Sequence, residues 1–179
     1  SEEVSDYLKQ AVIATEDETF ETHNGVVPKA VLRAALGSIG LGSSSGGSTL
    51  TQQLIKQQLV GDAPTFTRKA NEIISALALE RKKKKNEILT IYLNVSPFGR
   101  NNQGKNIAGV EAAARGIFGK TAKELSVPQA AYIAGLPQSP IVYSPYASDG
   151  TRKSDDDMIY GIERYQAVLY NLYRASFLT

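Results

Sequence analysis

A mainly α-helical single domain is the fold class that this sequence predicts, on three observations. Apolar residues recur at i, i+3 and i+4 over most of the 179 positions. Alternating strand patterns are weak, and no segment repeats. Apolar residues make up 42% of the chain, enough for one packed core. Composition also excludes several function classes. Cysteine is absent and His23 is the only histidine, so disulfides, thiolate metal sites and multi-histidine metal sites within one chain are ruled out. A net charge of +2 is too small to imply nucleic acid by itself. No run approaches the ~18 apolar residues of a membrane span, and no signal-peptide pattern stands at Ser1. Both ends read as cut, so targeting segments are expected to be missing from the sequence rather than absent from the protein.

The elements follow in order. Val4, Tyr7, Leu8, Ala11 and Val12 repeat at helical spacing. Pro28 suits the first turn of a second helix through Val31, Leu32, Ala35 and Leu36. Gly37 to Gly47 is rich in glycine and serine and reads as the most flexible segment. Ser48 is placed to cap a helix carrying Leu50, Leu54, Ile55 and Leu59, which Gly61-Asp62-Ala63-Pro64 breaks. Thr67 starts the longest pattern, with Ala70, Ile73, Ile74, Leu77 and Ala78 on one face. A further helix carries Ile88, Leu89, Tyr92 and Leu93, and Pro97 to Lys105 reads as a polar loop. Ile107, Val110, Ala113, Ala114 and Ile117 predict another helix, and Thr121 with Glu124 has capping-box spacing. Ser126, Val127 and Pro128 open a helix through Ala131, Ile133 and Ala134 that Pro137 and Pro140 end. Ser154 and Asp157 look like the cap of a last helix with Ile162, Tyr165, Leu169 and Leu172.

The chemistry concentrates near the start. Glu16 to Gly25 packs acids, Phe20, His23 and a glycine into ten positions, directly after the apolar stretch Ala11-Val12-Ile13-Ala14. A carboxylate at the end of a buried helix is a usual setting for a general base. His23 invites a Ser-His-Asp arrangement with Ser48 and Asp17, but no nucleophile-elbow pattern supports it. A histidine bonded to nearby backbone or to a carboxylate is the preferred reading. Gly42 to Thr49 loosely resembles a phosphate-binding loop, yet Gly47 stands where lysine is needed. Ser48, Thr49, Thr51, Gln52, Gln53 and Lys56 crowd one helix start, where free amides and hydroxyls favour an anionic or polar ligand. Arg68 and Glu72 share a helix face at a four-residue step, where a solvated surface pair is the simpler reading. Lys82-Lys83-Lys84-Lys85 reads as the solvated end of a helix that can also meet anionic lipid headgroups. No nucleic-acid recognition motif accompanies that run. Glu111, among small residues, is expected to be partly buried and structural.

These segments occur in a recognisable order. Glu16-Asp17-x-x-Phe20-x-x-His23-x-Gly25 resembles the first signature of the peptidoglycan glycosyltransferases (glycosyltransferase family 51). These are the polymerase modules of class A penicillin-binding proteins and the monofunctional transglycosylases. Gly47-Ser48-Thr49-Leu50-Thr51-Gln52-Gln53 is similar to the second signature and Arg68-Lys69-x-x-Glu72 to the third. Lys85-x-x-Ile88-Leu89-x-x-Tyr92-Leu93-Asn94 is similar to the fourth. Gly109 to Ala114 with Phe118-Gly119-Lys120 is similar to the fifth. Gly135 to Pro140 and Tyr143-Ser144-Pro145 resemble the segment that follows. Ile117 departs from the family, which commonly has an aromatic there, and Pro97 to Asn106 is more polar than its pattern.

The resemblance implies a lysozyme-like helical domain over 1–179 with a smaller mobile lobe at about 37–66. It implies polymerisation of lipid II into β-1,4-linked glycan with inversion at the donor carbon. Its partners are then lipid II, the growing lipid-linked strand, the membrane surface and moenomycin-type inhibitors. By the same resemblance Glu16 is the base and Glu72 the second catalytic carboxylate. Lys56, Arg68 and Lys69 face the pyrophosphate, with Arg33 a further candidate, and Ser48, Thr49, Gln52 and Gln53 bond sugar or phosphate oxygens. Asp17, Phe20 and His23 shape the pocket around Glu16. No cofactor is obligatory; a divalent cation, Mg or Mn, can sit by the pyrophosphate at Glu72. Ile39 and Leu41 are expected to touch the bilayer. The parent is expected on the extracytoplasmic face of the membrane, anchored before Ser1 and with room for a transpeptidase domain after Thr179. The rivals are a glycan-cleaving hydrolase or lytic transglycosylase and a non-catalytic glycan- or lipid-binding module.

Overall fold

The computed structural model describes residues 4–38, 47–59 and 65–177. The segments 39–46, with Ile39 and Leu41, and 60–64 lie outside the described residues, and part of the lobe expected at 37–66 lies there with them. In chain order the helices are α1 (Asp6–Glu16), α2 (Pro28–Ser38), α3 (Leu50–Gln58), α4 (Thr65–Lys82) and α5 (Lys85–Val95). A two-stranded sheet, β1 (Pro97–Arg100) and β2 (Asn106–Ala108), follows. Then come α6 (Val110–Ala113), α7 (Val127–Ala134), α8 (Pro140–Tyr143) and α9 (Ile159–Arg174), with single helical turns between them. The predicted mainly α class agrees with this architecture. The chain divides into two compact units, Ser1–Glu18 with Leu93–Thr179, and Thr19–Tyr92.

In the first unit α1, α7 and α9 pack on one another. Leu8, Ala11, Val12 and Ala14 of α1 meet Ala130, Ala131, Ile133 and Ala134 of α7 and Gly161, Val168 and Leu172 of α9 as a buried core. Each fully buried Leu, Ile or Val contributes about 2 kcal/mol, and the small residues let the helices approach closely. Tyr7 and Ile162, which periodicity places on core faces, are half exposed instead.

Several boundaries differ from expectation. The polar loop at 97–105 is an antiparallel hairpin that pairs Pro97 with Ala108 and Arg100 with Asn106. Neighbouring Phe98 and Gly99 are both buried, so no two-residue alternation marks the strand. Ile107 lies in β2 rather than in a helix. The helix begins at Val110 and widens into a π turn over Ala114–Phe118. Thr121 Oγ1 donates to the Glu124 carboxylate at 2.5 Å around a 3-10 turn, and the Thr121 backbone N–H bonds the same carboxylate, while the Thr121 hydroxyl caps no backbone N–H. Ser126 and Gln129 do form the capping box that opens α7. That helix ends at Ala134, and Pro137 and Pro140 sit in the first turns of the two short helices after it. Ser154 takes the Asp157 N–H in a turn before α9, which starts at Ile159. Glu111 is exposed rather than buried, but its role is structural: it accepts the Ala122 N–H and pairs with Arg115, each at 2.9 Å.

In the second unit α3 packs on α4. Leu50, Leu54, Ala76, Ile88, Leu89 and Tyr92 are buried. Ile74, placed on the inner face by its spacing, is exposed, and Ala76 is buried in its stead.

Candidate active site

In the first unit, Glu16 is the last residue of α1. Its side chain is only 10% exposed, and its Oε1 accepts a hydrogen bond from Arg164 Nη2 of α9 at 2.8 Å. Asp17 ends the helix, buried, with its N–H on the Ile13 carbonyl at 3.1 Å. Asn171 Nδ2 of α9 reaches Thr15 Oγ1 at 3.4 Å. The C-terminal turn of α1 is therefore gripped by α9 on two successive residues. Glu18 also pairs with Arg174, but both are exposed, and such pairs contribute little.

In the second unit, Phe20 is fully buried and His23 packs edge-on against it, ring centres 5.9 Å apart. His23 Nδ1 accepts the Gly25 N–H at 3.0 Å and lies 3.3 Å from Lys85 Nζ. Lys85 Nζ also donates to Glu80 at 2.8 Å and sits 4.7 Å from the Phe20 ring centre. Glu80 takes a further hydrogen bond from Thr51 at 2.7 Å. Lys85 is thus not the end of a solvated lysine run, as its neighbours in sequence suggest. Lys82, Lys83 and Lys84 are exposed, but Lys85 is the centre of a polar cluster, because α4 stops at Lys82 and α5 begins at Lys85 and turns it inward. Gly25 belongs to the same cluster: at φ +112° a Cβ there would meet the Ala76 carbonyl oxygen at 2.8 Å.

The start of α3 is capped by Thr49, not by Ser48 as expected. Thr49 Oγ1 accepts the Gln52 N–H at 3.0 Å and donates to the Gly25 carbonyl at 2.6 Å, while Gln52 Oε1 accepts the Thr49 N–H at 2.9 Å. Both residues are buried, and these contacts hold the start of α3 as a capping box. Gln53 bonds the Ser48 carbonyl and the Tyr92 hydroxyl, both at 3.3 Å.

Glu72 is buried, but its partner is not Arg68. Lys69 Nζ donates to Glu72 at 2.8 Å and to Ser48 Oγ at 3.1 Å. Arg68 donates instead to the Leu59 carbonyl at 2.9 Å, tying α4 to the end of α3. Arg33 and Lys56 are exposed to solvent. Lys69, Glu72 and Ser48 thus form one ammonium–carboxylate–hydroxyl group. Its donor set, a single carboxylate already holding an ammonium, does not fit a protein-built cation site. Among the described residues no three His, Asp or Glu gather to hold a metal.

Two residues, one in each unit, carry no signal in the sequence. Arg164 lies 148 positions from Glu16 and outside every signature. Glu80 is hidden because its partner Lys85 is the last of four identical residues.

The sequence model of the family described as Transglycosylase matches residues 1–172. This chain belongs to the transglycosylase family. The transglycosylase domain is 41% identical over 140 residues to penicillin-binding protein 1B of Haemophilus influenzae, covering 78% of this chain and 18% of that protein. It is 36% identical over 168 residues to penicillin-binding protein 1F of Bacillus subtilis, covering 93% and 23%. It is 39% identical over 177 residues to penicillin-binding protein 1A of Clostridium botulinum, covering 96% and 20%. The domain spans about a fifth of the length of these relatives. Among its described residues no helix is long and apolar enough to cross a membrane.

Proposed function

We propose that this transglycosylase domain is a peptidoglycan glycosyltransferase that polymerises lipid II into β-1,4-linked glycan. The observation that carries the reading is the family match over residues 1–172, on a chain in which little-exposed Glu16 of the first unit meets Arg164 and buried Glu72 of the second meets Lys69. In the reaction the 4-hydroxyl of the acceptor sugar attacks the anomeric carbon of the donor. The bond from that carbon to the pyrophosphate oxygen breaks, the pyrophosphate leaves with the electron pair, and the configuration inverts. Glu16 takes the hydroxyl proton, and the Arg164 guanidinium at 2.8 Å holds its carboxylate. Pyrophosphate is already a good leaving anion, so charge stabilisation matters more than acid catalysis. Lys69 is its first partner, oriented by Glu72 and Ser48. Exposed Lys56 and Arg33 add positive charge, and Arg68 acts by fixing α4 against the end of α3.

The substrate is drawn from the extracytoplasmic face of a bacterial membrane, with Lys82, Lys83 and Lys84 available to anionic headgroups. A hydrolase would have no phosphate to hold, which disfavours the glycan-cleaving reading. The test is polymerisation of labelled lipid II by wild type and Glu16→Gln, with and without chelator, beside a glycan-clearing assay. Wild type should build polymer, and Glu16→Gln should lose at least ~100-fold in rate while still binding substrate. Clearing of glycan without polymer would replace the assignment by the hydrolase.

A further inference from the structure

The Glu16 carboxylate is held by a socket that the catalytic assignments leave unused. Arg164 projects from α9 with its side chain 16% exposed and divides its donors. Nη2 bonds Glu16 Oε1 at 2.8 Å, and Nε bonds the Gly135 carbonyl at the end of α7 at 3.0 Å. The guanidinium carbon lies 5.9 Å from the centre of the Tyr143 ring, on α8. Gly135 and Tyr143 therefore seat the guanidinium, and the guanidinium holds Glu16.

Two glycines make room for it. A Cβ at Gly135 would meet Arg164 Cγ at 2.9 Å and Val168 Cγ2 at 3.3 Å. A Cβ at Gly161, one turn before Arg164, would meet the Tyr143 carbonyl oxygen at 2.9 Å. That same carbonyl accepts the Tyr132 hydroxyl at 2.8 Å, so the Tyr143 backbone is itself anchored to α7. Such close packing lets α9 lie where a guanidinium can span from Gly135 to Glu16. Stability is a poor explanation for the pair, because a buried ion pair is often no more stabilising than well-packed apolar residues. Orientation is a better one: a catalytic group must be held within a fraction of an ångström, and groups behind it do the holding.

On the reading of Glu16 as the base, we propose that Arg164, seated on Gly135 and Tyr143, is the positioning residue that holds the Glu16 carboxylate in its working orientation. The segment from Gly135 to Tyr143 then has a stated task, to build the seat of that arginine.

The test follows lipid II polymerisation against pH for Arg164→Met, Arg164→Lys, Gly135→Ala and Glu16→Gln, with thermal unfolding recorded for each. Arg164→Met should lower kcat by ~100-fold, the cost of a roughly 1 Å misplacement, with KM changed less than ~2-fold. Its acid limb should move to higher pH, because the charge favouring the carboxylate is gone. Arg164→Lys should restore the limb but recover only part of kcat, since an ammonium cannot reproduce the two-armed geometry. Gly135→Ala, whose Cβ presses on the arginine stem and on Val168 Cγ2, should lower kcat by ~10-fold. Wild-type kcat and an unmoved acid limb in folded Arg164→Met would overturn the proposal. If that variant does not fold, wild-type kcat in both Arg164→Lys and Gly135→Ala overturns it. Turnover by Glu16→Gln is a separate outcome, which removes Glu16 as the base and the proposal with it. An inactive Glu16→Gln beside a fully active Arg164→Met removes only the positioning role.

Discussion

Replacing Lys85 by methionine removes three contacts at once and keeps most of the aliphatic stem. The ammonium leaves Glu80 at 2.8 Å, His23 Nδ1 at 3.3 Å and the Phe20 ring at 4.7 Å. Glu80 is 8% exposed, so its carboxylate keeps only the Thr51 hydroxyl and the more distant His23 in place of a full charge partner. Breaking a buried pair on one side costs about 3–5 kcal/mol. Lys85 is itself 21% exposed, and water entering its place lowers that to roughly 2 kcal/mol. Loss of the cation–ring contact adds about 0.5–1 kcal/mol. The expected destabilisation is about 3 kcal/mol, a fall in Tm of roughly 6–12 °C for a chain of this size. Urea unfolding followed by circular dichroism measures it, with Lys82→Met as the control expected to stay within about 0.5 kcal/mol. The double variant with Glu80→Gln should be less destabilised than the sum of its parts, since the orphaned charge is gone. Equal urea midpoints for Lys85→Met and Lys82→Met would refute the description of Lys85 as a cluster centre.

Thr49→Ala should cost about 2 kcal/mol, losing both the cap on Gln52 and the hydrogen bond to the Gly25 carbonyl, while Ser48→Ala should cost clearly less. A larger loss at Ser48 in the same unfolding assay would return the cap to the residue expected from the sequence. Tyr132 is pushed well above the usual phenol range by burial first and by Tyr146 second. The folded state therefore holds that proton more tightly than the unfolded chain, and its contribution is complete below about pH 10 and lost as pH rises beyond it. Tyr132→Phe should be less stable than wild type at pH 9, by about 1 kcal/mol for the bond to the Tyr143 carbonyl, and the gap should close at pH 11. A constant gap between the two pH values would contradict this.

The helices are legible in the sequence because their signals are local. A 3.6-residue period locates α1, α3, α4, α7 and α9 whatever they pack against, and Ser126, Pro128 and Gln129 mark the start of α7 by chemistry complete within four residues. The ordered signatures likewise single out Glu16 and Glu72 from sequence alone, since both stand in fixed patterns of neighbours. The hairpin is not legible, because Phe98 and Gly99 are buried together and leave no alternation to read.

Other choices lie between adjacent residues with equal local claims. Ser48 and Thr49 are both good caps, and the nearby Gly25 carbonyl favours Thr49. Arg68 and Lys69 are both within reach of Glu72 along the helix, and Ser48 and the Leu59 carbonyl sort them. Four lysines in a row are alike until one of them meets Glu80, His23 and Phe20. By itself the sequence determined which segments are helical and which carboxylates stand in the signatures. Tertiary structure alone decided which cation each carboxylate meets, because hydrogen bonds and ion pairs act over a few ångströms of space. Arg164 reaches Glu16 across 148 positions of chain, a distance at which sequence spacing carries no information.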